Sequence, residues 1–257
     1  MLLAIDVGNT NTVIGLYRQN KLLHMWRVGT NRSQTADELR LVLHALMHSE
    51  NLNFEEVRGV ALASVVPQLS QAWNRVSMAL FNNEAIQANA QTAGKLFSSS
   101  YPNPEEIGAD RIADAVAAKA LYGFPCVVVD FGTATNIEVI DNKGNFLGGV
   151  IAPGVDTSAQ ALFASAARLS AIELVDPGTA IGTSTDAAVQ AGIVYGEAAR
   201  VDGLVDRIFD QLGYQAPVIA TGGLAQRVAR YSKTITETNT QLTLEGLRRI
   251  CDEVTKN

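Results

Sequence analysis

An α/β fold made of two duplicated domains, each a mixed five-stranded sheet with helices, is predicted by three observations. The turn formed by Asp6, Val7, Gly8, Asn9, Thr10, Asn11, Thr12 and Val13 follows a short apolar strand, and 124 positions later Asp130, Phe131, Gly132, Thr133, Ala134 and Thr135 repeat it. The elements expected around each copy run in a similar order. The length of 257 residues suits two domains of about 125, expected at 1–115 and 116–257 with an active site in the cleft between them. On this reading Asp6 aligns with Asp130, Gly8 with Gly132, Asn9 with Thr133 and Asn11 with Thr135.

The first strand, Met1 to Ile5, ends on the Asp6 turn, and two further strands, Val13 to Tyr17 and Leu22 to Val28, are joined at Arg18 to Lys21. Thr35 followed by Glu38 is the capping-box pattern of a helix start, and Leu39, Val42, Leu43 and Leu46 continue it at helical spacing. His44 and His48 lie one turn apart there, but without a third ligand they read as surface residues. Gly59 to Pro67 reads as a buried strand, followed by a helix from Leu69 to Phe81 and a short strand at Ala85 to Ala88. The order β-β-β-α-β-α-β is the ribonuclease-H-like plan.

The second half reads the same way. Strands are expected at Cys126 to Val129, Ile137 to Ile140 and Phe146 to Ile151, then helices at Thr157 to Ala167 and Asp186 to Leu212. Pro217 to Ala220 is a strand running into Gly222 and Gly223, where backbone can approach a ligand such as adenosine, with a following helix presenting its N-terminal amides. A last helix is expected from Leu244 to Val254, capped by Thr243.

Composition narrows the function classes. Hydrophobic residues at 47% and charged residues at 18% describe an ordinary globular chain, and a net charge of −6 offers neither a nucleic-acid footprint nor a polybasic membrane face. Cys126 and Cys251 are too few for a disulfide framework, which suits a reducing compartment. The N-terminal apolar run is interrupted by Asp6 and lacks a cationic leader, and Asp114 and Lys119 break the segment from Ile112 to Val129. A cytoplasmic protein is expected, with no nucleic-acid or membrane partner.

The chemistry is concentrated in the turns and in the segment between the halves. A strand-closing Asp often bonds only local backbone, so one Asp-x-Gly turn is weak evidence. Two copies, with backbone amides and Asn and Thr side chains around one small volume, point to phosphoryl oxygens; an old duplication that kept its turns is the other reading. Between the halves, Gly108, Ala109, Asp110 and Arg111 open a helix. An acidic residue suits a helix start, but an adjacent Arg gains nothing from the dipole. Together they fit a carboxylate base beside a substrate-binding cation, a reading that spacing alone leaves even with the structural one.

Asp6 to Thr12, Gly108 to Arg111, Asp130 to Thr135, Gly149 to Gly154 and Thr221 to Gly223 occur in an order and spacing that resemble type III pantothenate kinases. That family belongs to the acetate kinase, sugar kinase, hsp70 and actin superfamily. The likeness spans essentially the whole chain, with Trp26-Arg27, Thr35 to Glu38, Ser64 to Pro67 and Leu242 to Leu247 as further points. The turn motifs are shared across the superfamily, whereas Gly108-Ala109-Asp110-Arg111 is the specific one.

The resemblance implies transfer of the ATP γ-phosphoryl group to the primary hydroxyl of pantothenate, the first step towards coenzyme A. By the same likeness Asp110 is the proton acceptor. Residues 6–13 and Thr133 bind ATP, with Asp6 near Mg2+ through water, and Asp130 binds K+ or NH4+. Tyr101, Gly108, Ala109, Asp110, Arg111 and Thr185 bind pantothenate, Thr185 reaching across a homodimer interface.

Two positions depart from the family pattern. Asn136 stands where a second Thr often follows Thr135, and Ser184 stands where Asn usually precedes Thr185. Asp156 and residues 234–241 have no assigned role. A sugar or acetate phosphotransferase would share the turns, but Gly108 to Arg111 and the short chain separate it from the pantothenate reading. A non-enzymatic transcriptional activator is the third class, set against the intact Asp6, Asp110 and Asp130.

Overall fold

The computed structural model describes residues 1–166, 169 and 171–256. Its chain forms two compact units, Met1–Leu121 with Gln241–Asn257, and Tyr122–Thr240. The chain thus leaves the first unit after Leu121 rather than at the expected division between residues 115 and 116, and the C-terminal helix returns to that unit.

In the first unit, strands β1 (Leu2–Val7), β2 (Asn11–Arg18), β3 (Lys21–Gly29), β4 (Gly59–Ser64) and β5 (Ile86–Gln87) accompany helices α1 (Ala36–Ser49), α2 (Pro67–Phe81), α3 (Ala90–Ala93) and α4 (Ala109–Tyr122). The second unit contains β6 (Cys126–Phe131), β7 (Ala134–Ile140), β8 (Phe146–Pro153), α5 (Val155–Ser165), α6 (Thr185–Leu212), β9 (Val218–Thr221), α7 (Ala225–Ala229) and β10 (Glu237–Thr238). The last helix, α8 (Leu242–Thr255), belongs to the first unit.

The two sheets have one topology. Their orders are β3-β2-β1-β4-β5 and β8-β7-β6-β9-β10, antiparallel across the first three strands and parallel across the last pairings. Even the irregularities match: β2 slips register between Leu16 and Tyr17, and β7 slips at the equivalent Val139 and Ile140. The ribonuclease-H-like plan therefore holds for both halves. β10, formed within the unassigned residues 234–241, supplies the fifth strand.

Alternation explains how the first sheet packs. Leu3, Ile5 and Val7 of β1 and Val60 and Leu62 of β4 join a core with Leu39, Leu43 and Met47 of α1 and Trp73 and Val76 of α2. Small residues occupy the other face, where Ala4 pairs with Gly15 and with Ala61. There α8 packs against β1, β2 and β4, burying Leu244, Leu247, Ile250 and Cys251. Burial pushes the Cys251 thiol pKa up to about 12, so it behaves as a packing group.

A buried arginine anchors α8. Arg248 is 4% exposed and donates to both carboxylate oxygens of Glu245 at 2.9 and 2.7 Å, to Asp252, and to Asn20 Oδ1 in the β2–β3 turn at 2.9 Å. Its guanidinium carbon lies 5.9 Å from the Tyr17 ring centroid. The expected Thr243 cap is not formed: α8 starts at Leu242 after Gln241, with no side-chain cap. Hydrophobic docking and the Arg248 cluster hold this helix instead.

In the second unit Val127, Val129 and Phe131 of β6 pack with Ile137, Val218, Ala220, and Ala198, Val201 and Val205 of α6. Strands β6, β7 and β8 run further than expected, to Phe131, from Ala134 and to Pro153, so the pairing extends into the turn residues. The described helix α5 covers Val155–Ser165, and its expected end at Ala167 lies outside the described residues. Among the described residues no helix is long and apolar enough to cross a membrane.

Asp202 of α6 fixes the entry to β10. It accepts hydrogen bonds from Ser232 Oγ at 2.6 Å, Lys233 N at 2.9 Å, Thr234 N at 3.1 Å and Thr234 Oγ1 at 2.8 Å. Partial burial opposes ionisation, but these bonds outweigh it and hold the carboxyl pKa below its ordinary value. The resulting stability is present above the unfolded-state pKa and is lost as pH falls through the lower folded-state pKa. Asp202→Asn is expected to destabilise the chain at pH 7 by about 1 kcal/mol after discounting for solvent, with the difference shrinking near pH 3. Thermal unfolding of both proteins at the two pH values checks this; an equal difference at both would contradict it.

Candidate active site

Both Asp-x-Gly turns sit at equivalent ends of equivalent strands. Val7 pairs with Thr12 across the first turn, and Phe131 pairs with Thr135 across the second. Gly8 N–H donates to Asn11 O at 3.0 Å, and Gly132 N–H donates to Ala134 O at 3.0 Å. The first turn is therefore one residue longer. By register Thr12 matches Thr135, and Asn11 matches Ala134; the expected match of Asn11 with Thr135 is corrected. Thr10, rather than Asn9, matches Thr133: Thr30 N–H donates to Thr10 O at 2.9 Å and Gly154 N–H donates to Thr133 O at 3.1 Å.

In the first turn Asp6 is half-buried beside Val13 and Ala63, while Asn9 and Thr10 are exposed. Thr12 is buried and its hydroxyl lies 2.9 Å from that of Thr30, so it braces the turn from beneath. The groups left at the surface are amides and neutral side chains, a suitable lining for phosphoryl oxygens.

The second turn is more crowded. Asp130 lies opposite Asn136 on β7 and Thr221 on β9, so the three side chains share one face. Thr221 is 1% exposed and its Oγ1 has no hydrogen-bond partner among the described residues. Gly222 follows with φ 90°, and a Cβ there would lie 2.3 Å from Asp130 Oδ1 and 2.6 Å from Phe131 O. Glycine is thus required for β9 to leave the sheet across the Asp130 carboxylate. Carboxylate, hydroxyl and amide oxygens make this an oxygen donor set, which fits a hard cation. A helix does follow Gly223, as expected, but it is the short α7, Ala225–Ala229.

An ion pair supports this turn from α6. The buried Thr135 donates its hydroxyl to Glu197 Oε1 at 2.6 Å; Glu197 also pairs with Arg200, which donates to Pro153 O at 2.6 Å. Sequence reading missed both Glu197 and Arg200, because charges inside a long helix normally mark its solvated face.

Asp110 occupies the first turn of α4, and its Oδ1 accepts the Arg111 N–H at 2.9 Å. The carboxylate lies back over Gly108, where a Cβ would be 2.5 Å from Oδ1. Gly108 therefore makes room for one fixed carboxylate orientation. Arg111 is 9% exposed, and Tyr101 is half-buried with its N–H bonded to Ser99 Oγ at 2.9 Å.

Thr185 is exposed at the first position of α6. Ser184 caps that helix, its Oγ accepting the Ala187 N–H at 3.2 Å. Ser and Asn serve equally as caps, so this departure preserves the helix start. His44 stacks on Phe54 at 5.0 Å and His48 is exposed. No group of three or more metal-ligating His, Cys, Asp or Glu side chains occurs among the described residues.

Two ribonuclease-H-like units, each closing its first hairpin with an Asp-x-Gly turn, define the actin-like ATPase class of fold. The activator of 2-hydroxyisocaproyl-CoA dehydratase from Clostridium difficile, solved with bound ADPNP, shares it with TM-score 0.60 and 16% identity over 99% of this chain and 96% of that one. The family model of type III pantothenate kinase matches residues 2–207. The type III pantothenate kinase of Moorella thermoacetica is 44% identical over 257 residues, 99% of this chain and 100% of that protein. The one from Brevibacillus brevis is 45% identical over 250 residues, 97% of this chain and 98% of that protein. The chain belongs to the type III pantothenate kinase family and is an ATP-dependent kinase.

Proposed function

We propose that this kinase transfers the γ-phosphoryl group of ATP to the primary hydroxyl of pantothenate, giving 4'-phosphopantothenate and ADP in the cytoplasm. The twin Asp-x-Gly turns at matched ends of duplicated sheets carry the reading, within a chain whose family is pantothenate kinase. Residues 6–13 hold the phosphates of ATP through backbone amides and the Asn9, Thr10 and Asn11 side chains. Thr133 holds a phosphoryl oxygen from the second turn.

Pantothenate rests against Tyr101 and residues 108–111, with Arg111 meeting its charge or carbonyl groups. Thr185, exposed on α6, comes from the second copy of a homodimer. The hydroxyl oxygen attacks the γ-phosphorus, its proton passes to the Asp110 carboxylate, and the bond to the ADP oxygen breaks. Phosphoryl transfer depends mainly on positioning and charge neutralisation, so the fixed orientation of Asp110 matters more than unusual basicity.

Asp6 would hold Mg2+ through water, and Asp130 with Thr221 and Asn136 would hold K+ or NH4+. Each cation supplies positive charge beside the triphosphate, and one carboxylate suffices where phosphates and waters complete the shell.

Phosphorus NMR of the product tests the reaction. A new phosphomonoester on the primary hydroxyl of pantothenate is expected; ATP consumption that leaves pantothenate unmodified would overturn the substrate.

A further inference from the structure

We propose that Arg32 is the phosphate-binding cation of the first turn, its guanidinium contacting the triphosphate held by residues 6–13. This rests on the reading of that turn as the nucleotide phosphate site. Neither residues 6–13 nor residues 130–136 include a Lys or Arg, although a triphosphate brings several negative charges to them. Arg32 is exposed and donates from Nη2 to Asn9 Oδ1 at 2.9 Å. That bond leaves its remaining donors without an acceptor among the described residues.

Arg32 is held there by a braced loop. On one side Thr30 is tied to the turn by its N–H to Thr10 O at 2.9 Å and by its hydroxyl, 2.9 Å from that of Thr12. On the other, Asn31 Oδ1 accepts from Ser33 N at 3.1 Å and Ser33 Oγ at 2.8 Å, and Thr35 and Glu38 close the capping box of α1. Among the described residues Arg32 makes no ion pair, and the carboxylates that follow it in sequence are engaged elsewhere: Asp37 pairs with Arg40 at 3.2 Å, and Glu38 accepts from Thr35. The arginine is therefore placed at the turn without being neutralised.

The duplicated unit shows what this position supplies. Gly29 pairs with Asn11 and Pro153 with Ala134, so Thr30 and Gly154 are equivalent. After Gly154, helix α5 begins at once, and Thr157 Oγ1 donates to Thr133 O at 2.6 Å. The positive end of a helix thus lies at the second turn. After Thr30 the chain instead makes a loop through residues 31–35 before α1 starts at Ala36, and the first amides of α1 serve its own cap. Arg32 fills the place that the helix end takes in the other unit.

The test compares the KM for ATP at saturating pantothenate, and competitive inhibition by adenosine, in the native chain, Arg32→Gln, Arg32→Lys and Asn9→Ala. Arg32→Gln is expected to raise the KM for ATP about tenfold, as loss of a charge-assisted contact does, with adenosine inhibition unchanged and partial recovery in Arg32→Lys. An unchanged KM in Arg32→Gln, with a raised KM in Asn9→Ala, overturns the role of Arg32 but leaves the turn as the phosphate site. Unchanged values in both overturn the role together with that reading of the turn. Equal loss of ATP and adenosine affinity in Arg32→Gln makes the residue structural and also overturns the proposal.

Discussion

Asp110→Asn is expected to lower pantothenate-dependent turnover by about 10²–10⁴-fold, the usual contribution of a general base, while ATP binding and thermal stability stay close to native. The substitution keeps shape while changing proton affinity and charge. In the native chain Asp110 Oδ1 accepts the Arg111 N–H at 2.9 Å, and the asparagine oxygen can accept the same bond. The close approach to Gly108 is also kept, since the side chains match in shape. The substitution removes the capacity to take a proton together with the negative charge at the start of α4. Steady-state rates and unfolding curves for the two proteins check this. A variant that keeps most of its rate would leave Asp110 as a positioning group, and one that unfolds early would show that the charge supports α4.

Gly222→Ala is expected to have the second large effect. Its φ of 90° strains any L side chain by about 1–3 kcal/mol, and the added Cβ would lie 2.3 Å from Asp130 Oδ1. Relief requires either the Asp130 carboxylate or the start of the β9–α7 connection to move. A fall in melting temperature should therefore accompany a raised requirement for the monovalent cation. Gly213→Ala is the control, because φ there is 76° and no atom lies within 4 Å of the added Cβ. It should cost stability through backbone strain and leave the cation requirement unchanged. A native cation requirement in Gly222→Ala would contradict the expected displacement of the Asp130 carboxylate.

Much of the fold was legible because its signals are local. The capping box at Thr35 and Glu38 forms as read, and the repeated turns fall at equivalent ends of matching sheets. The C-terminal helix was assigned to the wrong unit because its apolar face specifies burial but names no partner. The small-residue face of β1, β2 and β4, together with the Arg248 bond to Asn20, returns Leu244, Leu247 and Ile250 to the first sheet. β10 escaped notice because Glu237 and Thr238 form only a two-residue strand paired with β9.

The extra residue in the first turn was missed for a related reason. Aligning Asn11 with Thr135 preserves sequence spacing, whereas strand register fixes Thr12 against Val7 and Thr135 against Phe131. Arg32 lay hidden in a polar connection after β3, a setting in which an exposed arginine ordinarily signals nothing. Its bond to Asn9 and the comparison with Gly154 single it out.

The central claim is tested most directly by ADP release from the native chain with Mg2+ and ATP, with and without pantothenate, in potassium and then in sodium. Release that requires pantothenate and falls sharply when sodium replaces potassium is expected. A well-folded chain that releases no ADP in response to pantothenate under either cation would contradict the assignment of substrate.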